Sequence, residues 1–167
     1  MYKKGDYIVY GNAGVYKVED ITTLKGISYA EKNKEYYVLK PAFSSGVVYY
    51  PVDSDKVFTR HIISKEEAEK IIALIPEIKV ETKDFDNTNE LSEYYKSIIS
   101  NHNCKDLIEL LMIIYKKREI ASEQKRKLWQ VDEVYQKQAE IQLYSEFAVA
   151  LNIDINEVEA YIQEKIK

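Results

Sequence analysis

The stretch YKKGDYIVYGNAGVYKVEDI, residues Tyr2–Ile21, contains two short runs rich in tyrosine, valine and isoleucine. The runs, Tyr7–Tyr10 and Val15–Val18, flank the segment Gly11–Gly14. Short β-forming runs separated by a Gly- and Asn-containing segment are typical of two strands joined by a tight turn. We therefore predict an opening β-hairpin. The hairpin contains no residues suited to catalysis, so binding is the first functional expectation.

The bulk composition is that of a globular protein with one domain or two small ones. The 167 residues are 46% hydrophobic and 31% charged. The net charge is -4, so contact with nucleic acid requires a local basic patch. The longest apolar run, Leu107–Tyr115, is too short to cross a bilayer. Because no leader-like segment opens the chain, we expect a cytoplasmic protein.

Further strands are predicted after the hairpin, at Glu35–Leu39 and Gly46–Val52, with the polar segment Leu24–Lys34 as a loop. Four or five strands within about sixty residues, with no helical period between them, favour a small bent antiparallel sheet. We expect an SH3-like or Tudor-like, partly open β-barrel.

The pattern changes to a helical one at Ser64. Ser64 and Glu67 form a predicted capping box, and apolar residues then recur at helical spacing as far as Pro76. The segment Glu77–Asn89 has little periodicity and is the predicted linker. The expected fold class is thus α+β: a β-barrel of residues 1–65, a helix and linker of residues 66–88, and a helical domain of residues 89–167.

Four helices are predicted in the last domain. Apolar stripes cover residues 91–99, 107–115 and 131–150, and Asp154 with Glu157 forms a capping pair before a short last helix. Four helices in about eighty residues predict a compact bundle.

A basic segment, KKREIASEQKRK, spans Lys116–Lys127 and carries a local charge of +4. Its cations could contact DNA phosphates, or they could simply complement the dipole of a helix carboxyl end. The only tryptophan, Trp129, and Tyr115 flank the segment, and each could be a wedge in the minor groove or part of the core. The candidate DNA-binding residues are Tyr115, Lys116, Lys117, Arg118, Lys125, Arg126, Lys127 and Trp129.

Tyrosines are concentrated in the predicted β-domain. They could form an aromatic cage for a methylated cation, a docking face beside an open strand, or part of the core. The tyrosines concerned are Tyr7, Tyr10, Tyr16, Tyr36, Tyr37, Tyr49 and Tyr50.

No enzyme, cofactor or metal site is predicted. His102 and Cys104 are too few for a zinc site, with only His61 elsewhere and no second cysteine. Phosphate-binding loops, nucleophile elbows and His-Glu helix motifs are absent from the sequence.

The ordered motifs resemble the CarD/CdnL bacterial transcription regulators, whose first domain also occurs in the transcription-repair coupling factor. Matching residues are Gly5, Asp6, Ile8, Val9, Tyr10, Gly14, Val15, Tyr36–Lys40, Tyr50–Val52, Arg60, Ile63–Glu69, Ser145–Ala150, Ile153 and Asp154. The chain departs from the family pattern at Gly11, where proline is usual, and at Ala13, where histidine is frequent. A glycine shortly before Arg60 is missing, and residues are added around Ser122–Lys127.

The resemblance implies that the β-domain binds the lobe of the RNA polymerase β subunit by edge-strand pairing. It also implies that the helical domain contacts promoter DNA at the upstream edge of the melted bubble and stabilises the open complex. The candidate polymerase-binding residues are Leu24, Lys25, Val47, Val48, Tyr49, Tyr50 and Pro51. The family places its tryptophan wedge where this chain has Tyr115 or a neighbour, whereas Trp129 lies elsewhere. We expect a monomer.

Two alternatives stay open at this point. The helical domain could bind a protein instead of DNA, which would make the chain a protein adaptor. The β-domain could instead be an aromatic-cage reader of methylated lysine or arginine.

Overall fold

The computed structural model describes residues 1–167 as five β-strands followed by five α-helices, which confirms the α+β class. The strands are β1 (Tyr7–Tyr10), β2 (Val15–Thr23), β3 (Glu35–Pro41), β4 (Val48–Pro51) and β5 (Thr59–His61). The helices are α1 (Lys65–Leu74), α2 (Thr88–Ile99), α3 (Cys104–Glu123), α4 (Gln130–Leu151) and α5 (Val158–Lys165). Short 3₁₀ turns, Ile75–Glu77 and Ile155–Glu157, follow α1 and precede α5. No helix is both long and apolar enough to span a membrane.

The strands form one antiparallel sheet in the order β4-β3-β2-β1-β5. No ladder joins β4 to β5, so the sheet is open and the predicted barrel is not confirmed. The β5 edge meets the helices instead, because Arg60 and the preceding Phe58 contact residues of the helical part. The β4 edge is therefore the free end of the sheet.

The hairpin between β1 and β2 depends on its glycines. Gly11 has a φ of +51°, which a proline ring cannot adopt, so the glycine at this position belongs to a differently shaped turn. Gly14 has a φ of +96°, and a Cβ there would lie 2.8 Å from Ser145 Oγ. The neighbouring Val15 N–H donates to the same Ser145 Oγ at 3.2 Å. Glycine at position 14 therefore lets the hairpin turn approach α4.

Two hydrophobic cores lie on either side of this contact. The smaller contains five buried sheet residues, among them Ile8, Val18 and Leu39. The larger contains 19 buried residues, almost all from the helices, and it includes Ala68 and Ile72 of α1. The capping boxes predicted at Ser64 and Asp154 are both present. Because α1 packs on the helical core, most of the buried apolar surface belongs to residues after the sheet; the domain boundaries themselves stay a prediction.

A buried carboxylate joins the sheet to the helices. Glu146 of α4 is 1% exposed, and its two oxygens accept hydrogen bonds from Arg60 Nη1 at 2.5 Å and Nη2 at 2.9 Å. The Ile63 N–H donates to the same carboxylate at 2.9 Å, and Cys104 Sγ at 3.1 Å. Arg60 also donates to the His102 carbonyl. One carboxylate therefore ties β5, the segment after it and the start of α3 to α4.

The pKa values of its neighbours are shifted by this junction. Burial, and then the Glu146 charge, raises the pKa of the Cys104 thiol, so the thiol stays protonated and donates. Burial acts to lower the pKa of Arg60, but the hydrogen bond and charge of Glu146 raise it overall. Burial, and then the Arg60 charge, lowers the pKa of His102, whose ring stacks on Phe58 at 4.2 Å between centroids. The junction is thus built around a single charge pair.

The buried Arg60–Glu146 pair predicts that a single substitution, Glu146→Gln, lowers the stability of the protein substantially. In Glu146→Gln, the amide loses the charge that balances Arg60 and turns an NH₂ group towards its donors. We expect the free energy of unfolding to fall by about 3 kcal/mol, as for other broken buried pairs, measured by urea denaturation. The matched control Glu133→Gln changes an exposed glutamate of the same helix and should stay within about 0.5 kcal/mol. Equal stability of the two variants would contradict a structural role for the Arg60–Glu146 pair.

Candidate functional site: an open sheet edge and a basic aromatic cavity

The free edge strand β4 pairs with β3 on one side only. The Val52 N–H donates to the Glu35 carbonyl at 3.0 Å, so the backbone of Val52 faces β3. In an antiparallel ladder every second residue faces the same neighbour, so the N–H and C=O groups of Tyr50 and Val48 also face β3. The N–H and C=O of Tyr49 consequently point outward. Pro51 occupies another outward position, where its missing N–H costs no ladder bond. The strand can therefore accept a further strand along its outer edge.

The side chains around this edge divide between the core and the surface. Tyr50 is 6% exposed, and its hydroxyl, which accepts from the Val57 N–H, lies within hydrogen-bond distance of the Ser54 and Val57 carbonyls. Tyr49 and Val47 are 43% and 45% exposed, and Phe43, just upstream, is 42% exposed. The edge therefore combines outward backbone groups with three exposed apolar side chains.

The loop containing Leu24 and Lys25 lies at one end of the same edge. It connects β2 to β3, and its last residue, Lys34, pairs with Asp53 beyond β4 at 3.4 Å. Leu24 is half-buried and Lys25 is exposed. Of the seven candidate polymerase-binding residues, Val47–Pro51 therefore lie on or directly before β4, with Tyr50 buried. Leu24 and Lys25 lie at the start of the loop after β2.

The tyrosines of the sheet mostly contact one another. Tyr36, Tyr37 and Tyr50 are buried, and the Tyr10 ring lies 5.1 Å from Tyr16 and 5.5 Å from Tyr50. Burial, and then its tyrosine neighbours, raises the pKa of Tyr10. The rings fill the space between them, and Tyr49 is the tyrosine of the seven with an exposed ring.

The basic segment spans the end of α3 and the loop that follows it. Lys125 has a φ of +55°, the Arg126 N–H donates to the Ala121 carbonyl at 2.7 Å, and the Lys125 N–H donates to Ser122. These two bonds and the left-handed residue form a Schellman motif that ends α3. Lys125, Arg126 and Lys127 are exposed immediately beyond it. The loop thus presents three cations next to the amino end of α4.

The three cations within α3 point in different directions, as consecutive helical residues must. Lys117 Nζ pairs with Asp132 at 2.5 Å, and Asp132 is 1% exposed. Lys116 donates to the Val80 carbonyl, and Arg118 to Gln136. The Tyr95 hydroxyl also donates to Asp132, at 2.6 Å, and burial followed by that bond raises the pKa of Tyr95. Lys117 therefore neutralises a buried acid inside the bundle.

Trp129 and part of the loop line a cavity of about 320 Å³. Trp129 is 43% exposed and occupies the N-cap position of α4, without a capping hydrogen bond from its side chain. Arg126, Lys127 and Lys117 line the same cavity, as do Lys83 and Phe85 from the irregular segment before α2. Four of the predicted DNA-binding residues therefore line one cavity: Lys117, Arg126, Lys127 and Trp129.

Tyr115 lies apart from this cavity. Its hydroxyl donates to Glu140 of α4 at 3.1 Å, and burial followed by hydrogen bonding to Tyr144 raises its pKa. Glu140 lies eleven residues beyond Trp129, a helical rise of about 16 Å. The two candidate wedge residues therefore occupy separate places.

Several residues of these sites were not singled out from the sequence. Lys83 and Phe85 lie in the aperiodic predicted linker, where no pattern indicates a side-chain direction. Glu146 and Asp132 fall on or beside the apolar stripe of their helix, and an acid on such a stripe is a signal for a buried ion pair. The partners, Arg60 and Lys117, could not be identified from spacing.

The geometry of the sheet agrees with a comparison of the sequence with protein families. The model of the CarD-like/TRCF RID domain family matches residues 2–63, which contain all five strands. Residues 2–63 are a CarD-like domain. The predicted family is thereby confirmed for this part of the chain. A CarD-like domain is an RNA polymerase-interacting domain, which connects the protein with transcription. A search of curated proteins found no match.

Lys117 and Lys127 are predicted to respond differently to truncation. Lys117→Ala removes the counter-charge of buried Asp132 and should lower the free energy of unfolding by about 3 kcal/mol, measured by urea denaturation. Lys127→Ala is the matched control, and it should change stability by no more than about 0.5 kcal/mol because Lys127 is exposed. If Lys117→Ala were as stable as the parent, the Lys117–Asp132 pair would not contribute to stability, and Lys117 would again be a candidate for DNA contact.

Proposed function

We propose that the protein is a transcription regulator that binds the RNA polymerase β subunit through β4 and contacts promoter DNA through the loop after α3. Bound in this way, it stabilises the open complex. The observation that carries the proposal is the CarD-like domain itself, whose sheet leaves β4 unpaired on its outer side. Edge pairing uses backbone groups for affinity and neighbouring side chains for specificity.

The DNA part of the proposal is supported by charge and position. Lys125, Arg126 and Lys127 are exposed and adjacent in a chain of net charge -4. Trp129, an exposed aromatic residue, lies beside them. Cations with an adjacent aromatic ring suit a phosphate backbone and an unstacked base or base step. We place the DNA contact on this loop rather than on Lys117.

Edge pairing is tested by a proline that removes a single outward N–H. Tyr49→Pro deletes the outward donor of β4, while the N–H groups that bond to β3 belong to other residues. We expect binding to purified RNA polymerase to weaken at least tenfold, measured by surface plasmon resonance, since a partner strand loses a hydrogen bond and meets the ring.

Tyr49→Ala separates the backbone from the side chain. It keeps the N–H and removes the exposed ring, so it should retain more affinity than Tyr49→Pro. Both variants should unfold within about 1 kcal/mol of the parent, because proline is tolerated at edge positions whose N–H faces outward. Full polymerase binding by Tyr49→Pro would exclude pairing along β4.

The DNA contact is tested by salt dependence. With polymerase present, the triple variant Lys125→Glu, Arg126→Glu and Lys127→Glu should bind a forked promoter fragment more weakly in fluorescence anisotropy. The slope of log K against log salt should become shallower by roughly 2 to 3, about 0.9 for each lost phosphate contact. Lys137→Glu, an exposed change on α4 outside the loop, is the control and should preserve the slope.

A protein adaptor gives the opposite result. Equal slopes for the triple variant and the parent, with polymerase binding intact, would leave a CarD-like protein whose helical part binds something other than DNA. An aromatic-cage reader would bind methylated peptides and fail to bind polymerase.

A further inference from the structure

The cavity beside Trp129 has the size and lining of a small-ligand site. It is bounded by α2, α3, the start of α4, the loop after α3 and the segment Thr82–Phe85. Its volume of about 320 Å³ lies at the lower end of the range for small-molecule pockets, roughly 300 to 1,000 Å³. Residues from these five parts of the chain therefore converge on one concave space.

The cavity is positively charged in an acidic protein. Its lining contains four cations, Lys83, Lys117, Arg126 and Lys127, and two acids, Asp84 and Asp132. Lys117 and Asp132 pair with each other, so three cations and one exposed acid remain. A concave surface with an excess of one charge attracts ligands of opposite charge. The preferred ligand is an anion.

The cavity also has an aromatic wall. Trp129 and Phe85 both line it, and Trp129 is 43% exposed. Lys83 Nζ lies 5.6 Å from the centre of the Phe85 ring, so part of that ring is occupied by a cation. The Trp129 ring is therefore the surface open to a flat ligand, and aromatic rings stack on nucleobases irrespective of base identity.

We propose that this cavity binds a nucleoside phosphate. The base packs against Trp129, and Arg126 and Lys127 hold the phosphate, with Lys83 contributing charge from the segment before α2. The nucleoside phosphate could be an unpaired nucleotide of a DNA strand or a free nucleotide. The first source rests on the proposed function, and the second is independent of it.

The position of Trp129 makes the binding directly measurable. It is the only tryptophan of the chain, so fluorescence excited selectively through tryptophan, at a wavelength that the 15 tyrosines do not absorb, reports this cavity. We expect saturable quenching by nucleoside 5′-monophosphates if the ligand is a free nucleotide, and by a single-stranded oligonucleotide if it is a DNA strand. Nucleosides that lack the phosphate should bind more weakly, and inorganic phosphate should not quench at the same concentrations. Quenching by inorganic phosphate as strong as by nucleotides would reduce the cavity to an anion site and overturn the proposal.

Variants test the assignment of residues. The double variant Arg126→Glu and Lys127→Glu should weaken nucleotide binding at least tenfold, and Lys137→Glu should not change it. Trp129→Ala should weaken binding at least tenfold by calorimetry. These residues are exposed, so a thermal unfolding curve like that of the parent shows that folding is retained. Unchanged nucleotide binding by both the Arg126→Glu, Lys127→Glu double variant and the Trp129→Ala variant would overturn the site.

The source is decided by a second titration, with single-stranded oligothymidylate. Quenching by the oligonucleotide but not by mononucleotides assigns the cavity to a DNA strand, and the reverse assigns it to a free nucleotide. Quenching by neither overturns the proposal. Mononucleotide binding requires no polymerase or promoter, so its outcome is separate from that of the forked-promoter assay.

Discussion

The buried carboxylate of Glu146 is the interaction on which the rest of the arrangement depends. An ionised carboxylate removed from water is costly unless its oxygens are hydrogen-bonded and its charge is balanced. Here the donors come from Arg60, the Ile63 backbone and Cys104. Because these donors belong to separate elements, satisfying the carboxylate requires the sheet, α3 and α4 to be placed together. The CarD-like domain is thus held against the helices by polar contacts as well as by the approach of Gly14 to Ser145.

A second buried carboxylate on α4 is also paired with a cation, in this case from another helix. Asp132, on the same helix and about four turns before Glu146, is bound by Lys117 of α3 and Tyr95 of α2. Each acid faces inward and binds a cation from another element, so α4 serves as the common support of the fold. The consequence for function is that a cation in a basic segment is not necessarily a surface cation. Lys117 holds the bundle together, whereas Arg126 and Lys127 remain available to an external anion.

Local patterns in the sequence were sufficient to predict most elements. The β-forming runs around Gly11–Gly14 predicted the hairpin, Ser64 with Glu67 predicted the start of α1, and apolar stripes predicted the helices, because these signals depend on neighbours along the chain. The closure of the sheet, the Arg60–Glu146 pair and the cavity depend on residues that are distant in sequence. Lys83 and Phe85 could not be placed without coordinates, since the segment that carries them has no period.

The distribution of charge explains why two contacts are needed in the proposed function. The +4 of the basic segment falls to +3 once Asp132 has neutralised Lys117. A few exposed cations on a protein of charge -4 provide only a modest, salt-sensitive attraction to DNA. When a first contact holds the protein at polymerase, the second becomes intramolecular, and its strength depends on how closely the spacing matches. The hydrogen bonds of Glu146 connect β5 to α4, so in the proposed function this carboxylate is the contact that sets the spacing between the β4 edge and the loop after α3.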